Sequence, residues 1–313
     1  MAETYVHNGT EFKNAQQIYG NVSGTFQEVN AAYANVGGTF KLVFSAFQAT
    51  SFVTLSSGTG TFTVPANANA LHIQAAVGAG GGAAGRADYD QAGGESAGAG
   101  GGSGGYVSDK VFSLNPGDTL TFSIGSGGAA GNQTANFKQP RTASAGTSTT
   151  LSSAAVGSLF VLTGGGGSSG TGGAVQGPLR TNTAGSAGAV TVSSTLTSGN
   201  FRDSDGQTKA LSTLTSGPSG TFNDSGSGSA GSLTGTGNCS GDNCRIDGFA
   251  GGASYDSNIA GGTAGSSTGA GTNGGPGTRG SGGGGGAAQV NAGATDGGVG
   301  GDGEIVYRFI KVL

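Results

Sequence analysis

Few side chains in this sequence have the chemistry of a catalyst. The chain of 313 residues contains two His and two Cys. His7 falls in a repeat turn and His72 lies inside an alternating apolar stretch, so a structural or solvated role is expected for each. A nucleophilic triad would need one of them as its base. The sequence therefore predicts that the protein is not an enzyme and offers no catalytic residue.

The two cysteines form a pair, Cys239 and Cys244, on either side of a Gly-containing stretch. They have three possible states: a disulfide that closes this short loop, two free thiols, or part of a metal site. A metal site is disfavoured, because no His or further Cys lies nearby to complete it. Of the other two states, the disulfide is favoured, although so short a loop stabilises only modestly. The calcium-like fragments 202–206 and 297–302 lack a distant Glu and tandem copies, respectively. We expect no metal and no cofactor.

Glycine dominates the composition, with 70 residues of 313. That share is about three times the average of roughly 7%. Six Pro are too few for collagen. The 13 Lys and Arg against 17 Asp and Glu give a net charge of −4, which is no footprint for nucleic acid. The sequence shows no signal peptide and no apolar run long enough to cross a membrane, so no membrane insertion is expected.

Short alternating stretches predict strands, and long glycine-rich segments separate them. These segments are residues 78–104, 125–132, 164–177, 226–237 and 261–303. A flexible linker is the alternative. However, strands bracket the segments, and packed glycine helices could recover the entropy lost on ordering. We predict an all-β fold: a small N-terminal repeat module, followed by a β-sandwich with stacked polyglycine-II-type segments.

The first 45 residues contain a repeat of 14 residues. In each copy a Tyr precedes, and a Phe follows, a Gly-containing turn: Tyr5 and Phe12, Tyr19 and Phe26, Tyr33 and Phe40. This pattern predicts three hairpins. They form either an attachment module or a cap on the next domain. The predicted organisation is a three-repeat module at 1–45, a linker at 46–59 and a Gly-rich β domain at 60–313.

The order of motifs after residue 60 resembles the Gly-rich domain of bacteriophage tail fibre and tail-tip proteins, and the resemblance covers residues 60–313. The motifs that carry it are Gly60–Pro65, Leu71–Ile73, Gly105–Val107, Leu114–Asp118, Leu120–Gly125 and Gly303–Tyr307. The segment Asn35–Lys41 is similar to short repeats at the start of other phage tail proteins.

The resemblance implies a virion protein that recognises a bacterial surface. Its distal loops would contact the receptor, and the six repeat aromatics would dock to other virion tail proteins. Such a protein is assembled in the host cytoplasm and released by lysis, which fits the missing signal peptide. A homotrimer is expected. The alternative is an architectural virion protein such as a collar, hub or capsid decoration.

If glycine forms the scaffold, larger side chains that interrupt it are the candidate receptor contacts. Mixed aromatic, Arg and amide groups suit a surface glycan or an outer-membrane protein loop. Ordinary solvated loops are the competing interpretation, and the long Ser/Thr-rich stretch has no assigned role. The candidates are Arg86, Asp88, Tyr89, Asp90, Phe137, Lys138, Gln139, Arg141, Phe201, Arg202, Asp203, Arg245, Asp247, Phe249, Tyr255 and Asp256.

Overall fold

The structure is a computed structural model. It describes residues 5–7, 12–14, 19–22, 25–28, 31–36, 39–45, 48–85, 97–131, 141–170, 183–205, 207–232, 237–240, 243–254, 259–267, 272–289 and 295–313. All regular structure in these residues is β, apart from one 3-10 turn at Leu211–Thr213. The predicted all-β class is confirmed.

The N-terminal repeat forms three antiparallel hairpins, as the sequence predicts. Their strands are β1 (Tyr5–His7), β2 (Phe12–Asn14), β3 (Tyr19–Val22), β4 (Thr25–Glu28), β5 (Ala31–Val36) and β6 (Thr39–Ser45). The register repeats with the sequence, because the Phe of each copy pairs with the residue two after its Tyr: His7 with Phe12, Asn21 with Phe26, and Asn35 with Phe40. The hairpin is therefore the structural unit of the repeat.

The remaining strands form two larger sheets and two small ones. They are β7 (Val53–Leu55), β8 (Thr59–Thr63), β9 (Ala70–Val77), β10 (Tyr106–Ser113), β11 (Thr119–Ser123), β12 (Arg141–Thr142), β13 (Thr149–Ser153), β14 (Gly157–Leu162), β15 (Ser169–Gly170), β16 (Val190–Val192), β17 (Asn200–Arg202), β18 (Thr208–Ala210), β19 (Asp224–Gly226), β20 (Gly237–Ser240), β21 (Asn243–Ile246), β22 (Ala288–Gln289) and β23 (Glu304–Val312).

Two antiparallel sheets make the sandwich. One has the order β18-β17-β23-β9-β10-β19, with β7 also paired to β23; the other has the order β16-β14-β13-β11-β8. Strand β7 falls in the predicted linker yet pairs with β23. The sheets share a core in which Phe112 of β10 approaches Phe160 of β14, with ring centroids 6.3 Å apart. Alternating apolar residues in these strands supply that core.

Between the strands, the glycine-rich segments run as extended rods. The described residues contain twelve: rods 1 (78–85), 2 (97–105), 3 (125–131), 4 (143–148), 5 (163–168), 6 (183–189), 7 (227–232), 8 (247–254), 9 (259–267), 10 (272–277), 11 (280–287) and 12 (295–303). Successive rods run outwards from the sandwich and back again. They are ordered by hydrogen bonds between rods, so the flexible-linker alternative is wrong for these segments.

The hydrogen bonds between rods repeat every three residues. Rod 2 donates to rod 11 with N···O distances of 2.9, 3.0 and 2.9 Å: Gly98 to Gly286, Gly101 to Gly283, and Gly104 to Gly280. The intervening N–H groups donate to other rods, as Gly102 does to Gly166 of rod 5. A helix with three residues per turn produces this pattern. The polyglycine-II helix itself stays a prediction.

Rods 1, 2 and 11 form the centre of the bundle. They bond one another, every residue in them is buried, and each exchanges backbone hydrogen bonds with six other rods. The other nine described rods form a closed ring around this trio, in the order 3-4-5-6-7-8-9-10-12 and back to 3. Each adjacent pair in the ring shares at least one backbone hydrogen bond. The bundle is thus hydrogen-bonded in every lateral direction.

Close approach of the rods explains the glycines. A Cβ added to Gly80 would lie against the Ser281 carbonyl oxygen, and one added to Gly283 against the Gly298 carbonyl oxygen, far inside contact distance. Ser and Thr occur where a side-chain oxygen can accept from the next rod. Ser144 Oγ accepts from Ala129 N at 2.7 Å. Buried Ser168 likewise accepts from Ala84 N of rod 1 at 2.8 Å, so such hydroxyls satisfy backbone donors of neighbouring rods.

Candidate functional site

The rod bundle has two different ends. At one end the rods continue into sandwich strands, as Val77 of β9 continues into rod 1. At the far end six segments connect outgoing rods with returning ones. They are residues 86–96, 132–142, 169–182, 233–246, 268–271 and 288–294.

Contacts between flanking residues show that the far ends of the rods lie together. Gly85 N of rod 1 donates to Gly131 O of rod 3 at 2.9 Å. Strand β12 pairs with β15, which joins the connections after rods 3 and 5. Strand β21 pairs with β22, which joins the connections after rods 7 and 11. All six connections therefore start and finish at one face of the domain.

The N-terminal part of the chain enters at the opposite end. Strand β23 leaves rod 12 and runs away from the rods, and β7 lies antiparallel to it. Before β7, Thr50 N donates to Phe309 O at 3.0 Å. The chain therefore joins the domain at the end of the sandwich remote from the rods. The repeat module and the six connections attach at opposite ends.

Many of the predicted receptor contacts belong to the six far-end connections. Arg141 is in β12 and Arg245 is in β21. Asp247 opens rod 8 at this end, where its Oδ1 accepts from Ser267 N at 2.6 Å. Others belong to far-end connections by sequence but lie outside the described residues: Arg86, Asp88, Tyr89, Asp90, Phe137, Lys138 and Gln139.

The other candidates lie elsewhere. Phe201 and Arg202 are in β17 of the sandwich and are buried, with Phe201 in a core beneath the outer sheet face. Phe249 is buried within rod 8. The expectation that these three stand on exposed loops is therefore wrong. Tyr255 and Asp256 lie outside the described residues. By sequence they belong to the connection between rods 8 and 9, and its flanking residues Ser254 and Ile259 pair with each other at the sandwich end.

The two cysteines occupy paired register positions in the far-end hairpin. Cys239 of β20 and Cys244 of β21 are direct partners in the antiparallel register. Direct cross-strand partners have Cβ atoms within about 5.5 Å. This is compatible with the predicted disulfide, which stays a prediction.

A chain of polar groups, buried at its centre and partly exposed at one end, crosses the outer face of the seven-stranded sheet. Its centre is His72 of β9, which is fully buried. His72 Nε2 lies 2.9 Å from Asp109 Oδ1, and Arg308 Nε donates to His72 Nδ1 at 3.2 Å. Arg308 also donates to Asp203 Oδ1 at 2.7 Å, and Asp203 Oδ2 accepts from Lys209 at 2.7 Å. Both ring nitrogens of His72 are therefore engaged, as a structural histidine requires.

Burial is the main reason that His72 stays neutral. Burial lowers the pKa of His72, and the Arg308 charge adds to that effect against the opposing hydrogen bond with Asp109. Burial would raise the pKa of Asp203. Hydrogen bonds from Lys209 and Ser204 N and the Arg308 charge outweigh burial, and the pKa of Asp203 falls to about 2. Asp203, a predicted receptor contact, is thus an ion-paired residue of the sandwich.

This network predicts a loss of stability in acid. Unfolded His72 takes up a proton below its usual pKa of 6.5, whereas the folded residue resists protonation, so its contribution is present above pH 6.5 and is lost as pH falls. Asp203 adds a second loss between its unfolded pKa of 3.8 and about 2. The midpoint of thermal unfolding should fall by a few degrees between pH 7 and 5.

The variant His72→Gln is the matched comparison for the upper pH range, because its amide stays neutral. It should melt below the wild type at pH 7 and lose less on acidification to pH 5. An equal loss in both proteins would assign the pH dependence to other groups.

The sequence predicts that His72 lies in a strand and has a structural role, but it does not predict which residues contact His72. Arg308 is 236 residues away in the chain. The only signal is Leu71-His72-Ile73, where a polar residue alternates with two core residues and so points to the opposite sheet face.

Together, the sandwich and the rods define a class of protein: an all-β domain that carries a hydrogen-bonded bundle of glycine-rich segments. A family model described as a glycine-rich domain matches residues 54–310, so the chain belongs to this family. No curated protein matches the sequence. Among the described residues, no helix is long and apolar enough to cross a membrane. The same residues contain no group of three or more His, Cys, Asp or Glu suited to a metal ion.

Proposed function

We propose that the protein is a non-enzymatic structural protein of a phage virion, a tail fibre or tail-tip adhesin, that binds the host surface through the far-end connections of its rods. One observation carries the proposal: the N-terminal chain and all six connections attach at opposite ends of the domain. An adhesin needs this polarity, because one end holds the particle while the other meets the cell.

The rod bundle suits the presentation of loops. Each rod is held by backbone hydrogen bonds from several neighbours, so the points at which the loops leave are fixed in relation to one another. Fixed attachment points reduce the ordering cost of binding. Tyr89, Phe137, Lys138 and Arg141 bring aromatic, cationic and polar groups to these connections. Such groups fit a bacterial surface glycan or a loop of an outer-membrane protein.

The remaining parts of the proposal concern assembly. The three hairpins, with Tyr5, Phe12, Tyr19, Phe26, Tyr33 and Phe40, would dock to other tail proteins. Two-stranded hairpins are marginal alone, which favours contacts with further chains, including those of a homotrimer. Assembly would take place in the host cytoplasm, and the protein would act from the virion.

Adsorption of variant particles tests receptor binding. Particles with Phe137→Ala and Lys138→Ala should assemble but adsorb at least tenfold more slowly, since a few central side chains carry most interface energy. Tyr255→Ala with Asp256→Ala is the matched control, because that connection lies at the sandwich end and should leave adsorption unchanged. Unchanged adsorption for variants in all six far-end connections would refute the proposal.

Competition separates an adhesin from an architectural virion protein. The isolated full-length protein should occupy receptors and slow adsorption of intact particles in proportion to its concentration. A collar, hub or decoration protein would leave adsorption unchanged at every concentration.

A further inference from the structure

The buried lysine of the sandwich, Lys110 of β10, has an unusual environment. The residue is 6% exposed. Its Nζ donates twice to one residue, at 2.9 Å to Asn223 O and at 3.0 Å to Asn223 Oδ1. In the described part of the chain these are its polar contacts, and no carboxylate lies within ion-pair distance of Nζ. A buried ammonium with neutral partners is costly.

The carboxamide of Asn223 is held against this amine. Thr195 Oγ1 donates to Asn223 Oδ1 at 2.9 Å, so the side-chain carbonyl accepts from two donors at once. Asn223 N donates to Asp109 O at 2.9 Å, and the residue has a left-handed φ of 62°. These contacts fix the backbone and the side-chain oxygen. Two donors on one carbonyl oxygen withdraw electrons from its carbon and stabilise a developing oxyanion.

The state of the amine favours attack on that carbon. Burial lowers the pKa of Lys110, while the charge of Asp224 acts in the opposite direction. A lowered pKa raises the share of neutral, nucleophilic amine. Asp224, the residue after Asn223, has a carboxylate that lies beyond ion-pair distance of Nζ but near enough for its charge to act on Lys110. Asp224 is itself held by Ser225 N, which donates to Oδ1 at 2.7 Å.

We propose that Lys110 and Asn223 form an intramolecular amide bond between Nζ and Cγ. The neutral amine attacks Cγ, the carbonyl oxygen takes negative charge beside Thr195, and the C–Nδ2 bond breaks. Asp224 carries the proton from Nζ to the leaving nitrogen, so one ammonia is released. The reaction involves no change of oxidation state and no added reactant. It also removes the buried charge of Lys110.

The distances permit this step. A carbonyl bond measures about 1.23 Å. With Nζ 3.0 Å from Oδ1, Cγ lies within about 4.3 Å of the amine. Attack needs an approach to about 3–3.5 Å, which a small rotation of the lysine side chain supplies. The bond would join residues 113 positions apart and tie β10 to the start of β19.

Mass spectrometry of the full-length protein tests the proposal directly. After reduction of thiols and denaturation, the intact mass should lie about 17 Da below that of the unlinked chain, the mass of one ammonia. Trypsin should leave residues 87–138 joined to residues 210–245, because a linked Lys110 is not cleaved. Recovery of a peptide that ends at Lys110, with no joined pair, would overturn the proposal.

Variants locate the chemistry. Lys110→Met and Asn223→Gly should each lack the joined pair; glycine suits the left-handed φ of Asn223. Asp224→Asn should form the joined pair at least tenfold more slowly. Lys209→Met is the control, because Lys209 is half-exposed and ion-paired to Asp203 and Asp205, and it should retain the joined pair in full. A joined pair that persists in Lys110→Met would assign the bond to another residue.

Discussion

Replacement of Gly283 by alanine should lower the midpoint of thermal unfolding by roughly 10 °C or more, or prevent folding altogether. Gly283 lies in rod 11, at the buried centre of the bundle. Its added Cβ would meet the backbone oxygen and carbon of Gly298, with the Val299 oxygen at 2.8 Å. Ordinary overpacking costs about 1–3 kcal/mol. Here the Cβ would meet backbone atoms of rod 12, and not a flexible side chain. Rods 11 and 12 cannot move apart without straining the hydrogen bonds that each makes to other rods.

Gly131→Ala is the matched control for this prediction. Gly131 is also buried and in a rod, but its added Cβ would meet nothing closer than Ala84 Cα at 3.2 Å. A shift of a few tenths of an ångström relieves that contact, so the midpoint should fall by only a few degrees. Melting followed by far-UV circular dichroism gives both values. Equal midpoints for the two variants would mean that rod spacing does not decide where glycine is required.

Much of this fold was predictable from the sequence because its signals are local. The 14-residue spacing of Tyr and Phe predicted three hairpins, and the structure has them. Alternation predicted the main sandwich strands, including β9 and β23. Strands on either side of each glycine segment predicted that those segments are ordered. Each prediction depended on residues close together in the chain.

The arrangement of the rods was not predictable in the same way. Glycine looks alike in every rod, so no residue type marks rods 1, 2 and 11 as the central trio. That assignment depends on which carbonyl each N–H meets, and most partners are distant in sequence. Gly80 N, for example, donates to Gly301 O. When the paired residues are all glycine, the amino-acid sequence does not indicate which rod pairs with which.

The same contrast between local and distant signals decides which candidate receptor contacts the sequence places correctly. Interruptions such as Arg141 and Arg245 do fall at the far end, because a large side chain rarely fits between rods. Phe201 and Arg202 are exceptions, because they are large side chains that lie in the sandwich and not at the far end. Their neighbours Asp203, Ser204 and Asp205 indicate a loop, but strand β17 pairs with the end of β23 and buries both residues. A strand of three residues such as β17 carries a weak alternation signal.

Deletion of residues 304–313 should abolish cooperative unfolding of the whole glycine-rich domain. These residues include β23, which pairs with β7, β9 and β17. Ile305, Tyr307, Phe309 and Ile310 are buried there. Loss of each large core side chain costs about 2–5 kcal/mol of unfolding free energy. The total unfolding free energy of a protein is usually about 5–15 kcal/mol, so four such losses are comparable to all of it. Rod 12, which closes the ring against rod 3, would also lose the strand that anchors it.

Deletion of Leu313 alone is the control for this truncation. Its side chain is exposed, and the residue contributes one backbone hydrogen bond, from its N to Asn200 O at 2.8 Å. That protein should melt cooperatively within a few degrees of the wild type. Differential scanning calorimetry compares the two. A cooperative transition in the 304–313 deletion would show that the rods and the other sheet fold without β23. The sandwich would then be an accessory to the bundle and not its foundation.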